Sequence, residues 1–264
     1  MTNNNPIGVF DSGIGGLSIA KKVRDILKNE NIIYVADTRH APYGEKSDEF
    51  ICQRAIEISD FLIERGAKAI LVACNTATTS AIQKLRATHN IPFIGVEPGT
   101  KPAALNSKCG KVGVLATSRT LVTESFERLV KRTSGPVSVE LQACPELVLQ
   151  VEALNFDGVE TIEAVNKYLA PLLQKGVDHI VLGCTHFNYL ETTIAKAAGP
   201  AIKIVNTAQA VANEVLRQLE KNDILNGSDE IGNNEFWTSG STLIFSEQIE
   251  TLWGECVEVH RFQA

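Results

Sequence analysis

No apolar run in this 264-residue chain approaches the roughly 18–20 residues that a membrane helix needs. The opening Met-Thr-Asn-Asn-Asn-Pro lacks the basic-then-apolar pattern of a secretory signal, and Ile7 already opens a strand. Positive charge is in deficit: 25 Lys and Arg against 31 Asp and Glu give a net charge of −6. That balance argues against nucleic acid or an anionic membrane as main partner. Six cysteines stand at 52, 74, 109, 144, 184 and 256, with no C-x-x-C pair and no Cys/His grouping of structural-zinc spacing. Disulfide frameworks belong to small secreted chains, so all six are expected as free thiols, most of them small buried hydrophobes, and no metal is expected. With 44% hydrophobic residues, the chain reads as a cytosolic globular protein of one large or two medium domains.

Strand and helix signals alternate from end to end. Ile7-Gly8-Val9-Phe10 reads as a short apolar strand, followed by a glycine loop and a helix through Lys21–Lys28. After the strand Ile32–Val35, a helix carries Ile51, Ala55, Ile58 and Leu62 on one side and Glu49, Arg54, Glu57 and Glu64 on the other. Strand Ala69–Ala73, helix Thr76–Thr88 and strand Pro92–Val96 follow. Apolar strands separated by amphipathic helices predict an α/β fold with parallel sheet covered on both faces.

The rhythm restarts after the turn-rich Glu97-Pro98-Gly99-Thr100-Lys101-Pro102, the expected domain boundary. Val112-Gly113-Val114-Leu115 repeats the first strand, and a helix striped with Ile162, Val165, Leu169 and Leu172 leads to another, with Pro171 placed to kink it. Strand Ile202–Val205, a helix with Val211, Val215 and Leu219, the polar loop Asn226–Asn234, strand Phe236-Trp237-Thr238, a helix through Leu252 and Val257-Glu258-Val259 complete the chain. Ligands of open α/β sheets sit beyond the carboxyl ends of strands, which singles out Asp11, Asp37, Cys74, Glu97, Thr117, Cys184 and Asn206. The strand order is not readable.

Twice, an amphipathic helix runs into a glycine, an apolar strand and a cysteine: Gly66 to Cys74-Asn75-Thr76, and Gly176 to Cys184-Thr185-His186. The offset is 105 between Gly8 and Gly113 and 110 between the cysteines, as for two similar units. A lone strand-end cysteine is ordinarily a core thiol. Two in equivalent places, each before a polar cluster and a helix start, point to chemistry. A helix N-terminus lowers a thiol pKa from about 8.5, and a thiol titrating near working pH serves as base or acid. A thiol on each side of one site is the geometry for moving a proton between the two faces of a carbon.

Asn75, Thr76, Thr185 and His186 follow those cysteines. Capping explains Asn and Thr and leaves N–H groups pointing at a carboxylate above the helix; His186 suits orienting or sharing a proton. Asp11-Ser12-Gly13-Ile14-Gly15-Gly16-Leu17-Ser18 is no phosphate loop, because Gly-Lys-Ser/Thr is missing and Ser18 replaces the last glycine of the dinucleotide pattern. Asp11 and Ser12 beside a tight glycine turn suit an ammonium group instead. The turn Pro42-Tyr43-Gly44 can offer N–H groups and a phenol to an anion. On the residues alone, Glu152 is a solvated helix residue.

At these positions the chain resembles the glutamate racemase family: Asp11 to Gly16, Asp37 through Pro42-Tyr43-Gly44, Ala73-Cys74-Asn75-Thr76-Ala77, Gly95-Val96-Glu97-Pro98-Gly99 and Leu182-Gly183-Cys184-Thr185-His186 keep the family's order and spacing. The resemblance implies a cofactor-independent enzyme that interconverts L- and D-glutamate, the latter for peptidoglycan. It implies two flavodoxin-like α/β domains with parallel sheets related by pseudo-twofold symmetry, 1–97 plus 207–264 and 98–206, with the active site between them. The thiol matching Cys74 would remove the α-proton of D-glutamate and that matching Cys184 the α-proton of L-glutamate, assisted by Asp11, His186 and Glu152. Ser12, Asn75, Thr76 and Thr185 would hold the amino acid's head, and Tyr43, Gly44, Thr117 and Thr120 its side-chain carboxylate. A homodimer is the expected assembly.

Asn188 stands where the family usually has proline, and Asn206-Thr207 replaces Asp-Ser or Asp-Pro; both bear on loop shape and domain closure. The chain also lacks the long N-terminal extension through which some family members sense a cell-wall precursor, so no activation by that precursor is expected. Decarboxylase relatives mostly keep one cysteine, and a cysteine phosphatase needs arginine where Ser80 and Leu190 stand. A pyridoxal-phosphate racemase needs a Schiff-base lysine. The alternatives left are a racemase of aspartate or another amino acid, and a non-catalytic amino-acid-binding module, which gives no reason for two thiols.

Overall fold

A computed structural model describes residues 3–133 and 135–263. Strand β1 (Ile7–Asp11) is buried throughout. Helix α1 (Leu17–Ile26) begins four residues before the expected Lys21, because Leu17, Ile19, Ala20 and Val23 make its buried stripe. Strand β2 (Ile32–Ala36) leads to α2 (Asp48–Glu64), whose start is fixed by Ser47 accepting the Phe50 N–H. Strand β3 (Ala69–Val72), α3 (Asn75–Thr88) and β4 (Phe93–Gly95) follow. The boundary segment then runs directly into a helix, α4 (Thr100–Asn106). The second half comprises β5 (Lys111–Ala116), α5 (Ser118–Leu121), α6 (Glu124–Thr133), β6 (Ser138–Ala143), α7 (Pro145–Glu152), α8 (Val159–Gln174) and β7 (His179–Leu182). A 3-10 turn over Thr185–Leu190 precedes α9 (Glu191–Ala198) and β8 (Lys203–Val205). The chain closes with α10 (Ala208–Lys221), β9 (Asn234–Thr238), α11 (Thr242–Trp253) and β10 (Val259–Arg261).

Two all-parallel sheets result, with strand orders β10-β9-β2-β1-β3-β4 and β6-β5-β7-β8. The fold is α/β, as expected. β2-β1-β3-β4 and β6-β5-β7-β8 are the same arrangement of successive strands, so β3 and β7, the strands that end at Cys74 and Cys184, hold equivalent places. The repeated glycines have one physical cause. A Cβ at Gly8 would press on Leu62 and Ile70, and one at Gly113 on Leu172 and Ile180, so in both sheets the first strand lies against a helix that a side chain would push away. One apolar cluster runs from Val9 and Leu17 through Phe187 to Leu182 and Leu172, joining the two sheets' cores.

Several expectations are corrected. Ile162 is exposed rather than part of the α8 stripe, which is Val165, Leu169 and Leu172 with Ala164 and Tyr168. Pro171 sits in the last turn of α8, which continues to Gln174. The final strand begins at Val259, not Val257. Arg54, assigned to the solvent side of α2, is buried. The six cysteines are free, but only Cys74, Cys144 and Cys184 are buried; Cys109 and Cys256 are exposed. Among the described residues no helix is long and apolar enough to cross a membrane.

Candidate active site

β3 ends where Ala73 N–H bonds to Phe10 O, and Cys74 becomes the cap of α3, its Sγ accepting the Ala77 N–H at 3.4 Å. The thiol reaches Ser12 Oγ at 3.9 Å. The expected lowering of its pKa is overturned. Burial first, and then the charge of Asp11, push the Cys74 thiol up, and the Ala77 N–H offsets only part of this. Asn75 is the first residue of the helix rather than a cap, and its Nδ2 donates to Val96 O at 3.2 Å.

Cys184 is supported differently. Gly183 lies against Leu115 O, where a Cβ would collide, and Thr185 opens a 3-10 turn instead of capping an α-helix. The partner of Cys184 is a side chain: Sγ lies 3.7 Å from His186 Nδ1, and His186 Nε2 lies 2.6 Å from Glu152 Oε1. Burial by itself would lower the imidazole pKa; the bonds to Cys184 and Glu152 overcome it and hold His186 well above its usual value. An imidazolium between sulfur and carboxylate stabilises a thiolate. Glu152 is therefore not a solvated helix residue. Its Oε1 also accepts the Ile14 N–H at 3.0 Å, and its backbone carbonyl accepts Gln248 Nε2 at 2.7 Å.

Asp11 ties the halves together. It is fully buried; Oδ1 accepts Ser12 Oγ and Gly13 N–H, each at 3.0 Å, and Oδ2 accepts Thr185 Oγ1 at 2.9 Å. A chain of contacts thus runs from Cys74 through Ser12 and Asp11 to Thr185, the neighbour of Cys184. The glycine loop is needed for close approach, since a Cβ at Gly13 would overlap Glu152 and one at Gly15 would overlap His186. Burial raises the Asp11 carboxyl, against His186 and its N–H and hydroxyl donors.

The hydroxyls of Thr76, Thr117 and Thr120 form a triangle, with separations of 2.9 Å (76–117), 3.2 Å (76–120) and 2.9 Å (117–120). Gly44 packs on Thr117, leaving no room for a Cβ. Tyr43 is placed beside this group, but its phenol is not turned to an anion: it donates to Asp37 Oδ2 at 2.6 Å. Asp37, fully buried, also accepts Arg54 Nε and Nη2 at 3.0 Å each and contacts His40. Asp37 and Arg54 therefore anchor the Tyr43–Gly44 turn. Among the strand-end residues, Glu97 stands apart, paired with Arg132 on the surface. Asn188 Nδ2 donates to Ser18 Oγ at 2.9 Å, joining the second half to α1, and Asn206 bonds Glu191 and the Ala208 N–H. A cavity of about 930 Å³ borders Pro98 and Thr207; of the candidate residues it is lined by Glu97 alone and lies away from both thiols. Among the described residues, no group of three or more His, Cys, Asp or Glu is placed to hold a metal.

Residues 7–215 match the family model described as Asp/Glu/Hydantoin racemase. A glutamate racemase of Methylococcus capsulatus is 48% identical over 251 residues, 95% of this chain and 93% of that protein. The crystal structure of a glutamate racemase isoform from Bacillus anthracis superposes with a TM-score of 0.92 at 32% identity, covering 99% of this chain and 98% of the other. That of Francisella tularensis glutamate racemase in complex with D-glutamate gives 0.87 at 29% identity, with coverage of 99% and 98%. The chain belongs to the Asp/Glu/hydantoin racemase family and, within it, is an enzyme of the glutamate racemase type.

Proposed function

We propose that the chain interconverts L- and D-glutamate without a cofactor, with Cys74 and Cys184 as opposing bases. The observation that supports this best is the contact chain Cys74–Ser12–Asp11–Thr185, which draws the thiol loops of two equivalent strands into one polar cluster. Glutamate as substrate is supported by the relatives' activity and by D-glutamate bound to the Francisella protein.

From L-glutamate, the Cys184 thiolate takes the α-proton, the electron pair left on Cα delocalises into the α-carboxylate, and the Cys74 S–H delivers a proton to the opposite face. The reverse direction exchanges the two sulfurs. His186, held by Glu152, stabilises the Cys184 thiolate; Asp11 and Ser12 serve the Cys74 side and the substrate ammonium. Asn75, Thr76 and Thr185 complete the hold on the amino acid's head. The side-chain carboxylate is taken by Thr117, Thr120 and the Tyr43–Gly44 backbone, replacing the mutual bonds of the threonine hydroxyls. Fixed N–H and O–H dipoles in a site closed to water stabilise the enediolate-like charge. The domains are 1–97 plus 207–264 and 98–206, the enzyme acts in the cytoplasm as a homodimer, and its D-glutamate supplies peptidoglycan.

Each enantiomer run in heavy water should yield product carrying deuterium at Cα. Cys74→Ala and Cys184→Ala should each lower racemisation by more than about 100-fold, within the range of a lost general acid or base. Full activity in either variant is incompatible with two opposing thiols.

A further inference from the structure

Glu152 belongs to the strand–helix run that carries Cys184, yet both of its ends are held by the other sheet's half of the molecule. Its carboxylate accepts the Ile14 N–H of the glycine loop. Its backbone carbonyl, at the C-terminal end of α7 where helical partners run out, accepts Gln248 Nε2 at 2.7 Å, 96 residues away on α11. Gln248 is itself buried. Beside it, Thr38, Ser241, Ile244 and Phe245 border a pocket of about 230 Å³ that reaches Glu152, room for more than one water. The Glu152 side chain is 20% exposed whereas that of His186 is 3% exposed, so the carboxylate is the wet end of the Cys184–His186–Glu152 row.

We propose that Gln248 is a positioning residue for the Cys184 base: by holding the end of α7 it aims the Glu152 carboxylate at His186 and keeps pocket water from replacing that bond. The inference rests on the two-thiol reading above. Among the described residues the Cys74 side has no such support: its Sγ contacts Ser12 Oγ and the Ala77 N–H, and Ser12 donates to the buried Asp11. The charged or titratable groups that face His186 are Cys184 and Glu152 by contact and Asp11 through space, with Tyr34 and Tyr189 near the two carboxylates. Among the described residues, α11 reaches Glu152 through the Gln248 hydrogen bond and Tyr34 through Phe245 ring stacking. Loosening Glu152 removes one of the influences that raise the imidazole pKa.

Gln248→Met keeps the side chain's bulk and removes the donor. Its expected effect is a fall in kcat of about 2- to 13-fold, the span of a single hydrogen bond, with KM changed less than about 2-fold. Nitrogen NMR of labelled imidazoles, assigned with His186→Asn, should show His186 titrating at lower pH in Gln248→Met than in the unaltered protein. Ile244→Ala, at the pocket's exposed rim, should leave both readings unchanged. A Gln248→Met protein with unaltered kcat and an unaltered His186 titration overturns the proposal. So does a fall in kcat without a shift in that titration, which would mark Gln248 as merely structural. Should Cys184→Ala stay active, the underlying two-thiol reading fails instead, so the two failures are told apart.

Discussion

Thr185 Oγ1 lies 2.9 Å from Oδ2 of Asp11, although 174 positions separate the two residues. The bond joins the loop after β7 to the end of β1, and its acceptor is a carboxylate with no exposure to solvent. Thr185→Val removes the donor while keeping the shape. A hydrogen bond to a charged group contributes about 1.5–3 kcal/mol, so kcat/KM should fall roughly 10- to 150-fold. Racemisation has an equilibrium constant of one, which obliges kcat/KM to fall equally from either enantiomer. Thr185→Ser should recover most of the loss; an active valine variant would show that Asp11 is held by other means.

Gly15 admits the His186 ring to a place that a methyl group would occupy. Gly15→Ala should displace the imidazole from Cys184 and lower kcat by at least about 10-fold, a share of what a positioned general acid or base contributes. Gly240→Ala, which meets Thr38 instead, tests whether any added methyl near the site has this effect. Equal loss in both variants would remove the special standing of the His186 contact.

Burial, followed by the Asp11 charge, raises the Cys74 thiol. The thiolate therefore forms only at a pH above the ordinary thiol midpoint of about 8.5. Removing a like charge favours the ionised form, so Asp11→Asn should move the midpoint to lower pH. Ultraviolet thiolate absorbance in a Cys184→Ser background, read as the difference from the doubly substituted Cys74→Ser protein, measures it. A midpoint that stays or rises in Asp11→Asn contradicts the stated cause.

Arg54 donates twice to Asp37 and also contacts Glu57. Arg54→Leu leaves the Asp37 carboxylate buried without its main cation. Breaking a buried pair in this way costs about 3–5 kcal/mol, measurable as a lower urea midpoint. Asp37→Asn added to Arg54→Leu should return part of the loss. Because Asp37 also holds Tyr43, KM for glutamate should rise in the single variant; unchanged stability would mean that water or His40 compensates.

Most of the fold was legible because buried parallel strands announce themselves. Ile7–Phe10, Ala69–Val72 and His179–Leu182 are apolar or glycine-spaced runs, and the repeated glycine–strand–cysteine pattern located both thiols. β6 escaped because Ser138–Ala143 is a half-exposed edge strand with charged and polar residues, and α4 because a turn-like Pro-Gly-Thr segment is also a good helix start. Charge alone puts Arg54 on the solvent side of α2, yet it lies three residues from Ile51 and four from Ile58, on the buried arc. The sequence did not show that Glu152 meets His186, that Gln248 reaches α7, or that the Tyr43 phenol is already engaged. Each depends on a contact between distant segments, which no local period encodes. The helix-start argument predicts two similar thiols, whereas their contacts differ: Ser12 and the Ala77 N–H at Cys74, the His186 ring at Cys184.

The order in which the polypeptide is synthesised gives the first sheet's topology a further consequence. β9 lies between β2 and β10, so one edge of β2 waits, with its backbone N–H and C=O groups unpaired, until residues 234–238 leave the ribosome. By then all four strands of the β6-β5-β7-β8 sheet have been made. An unpaired edge is a template for a wrong neighbour, so a ribosome stalled within the loop after α10 would release a nascent chain prone to clump, with both sulfur-bearing strands complete and one flank still open.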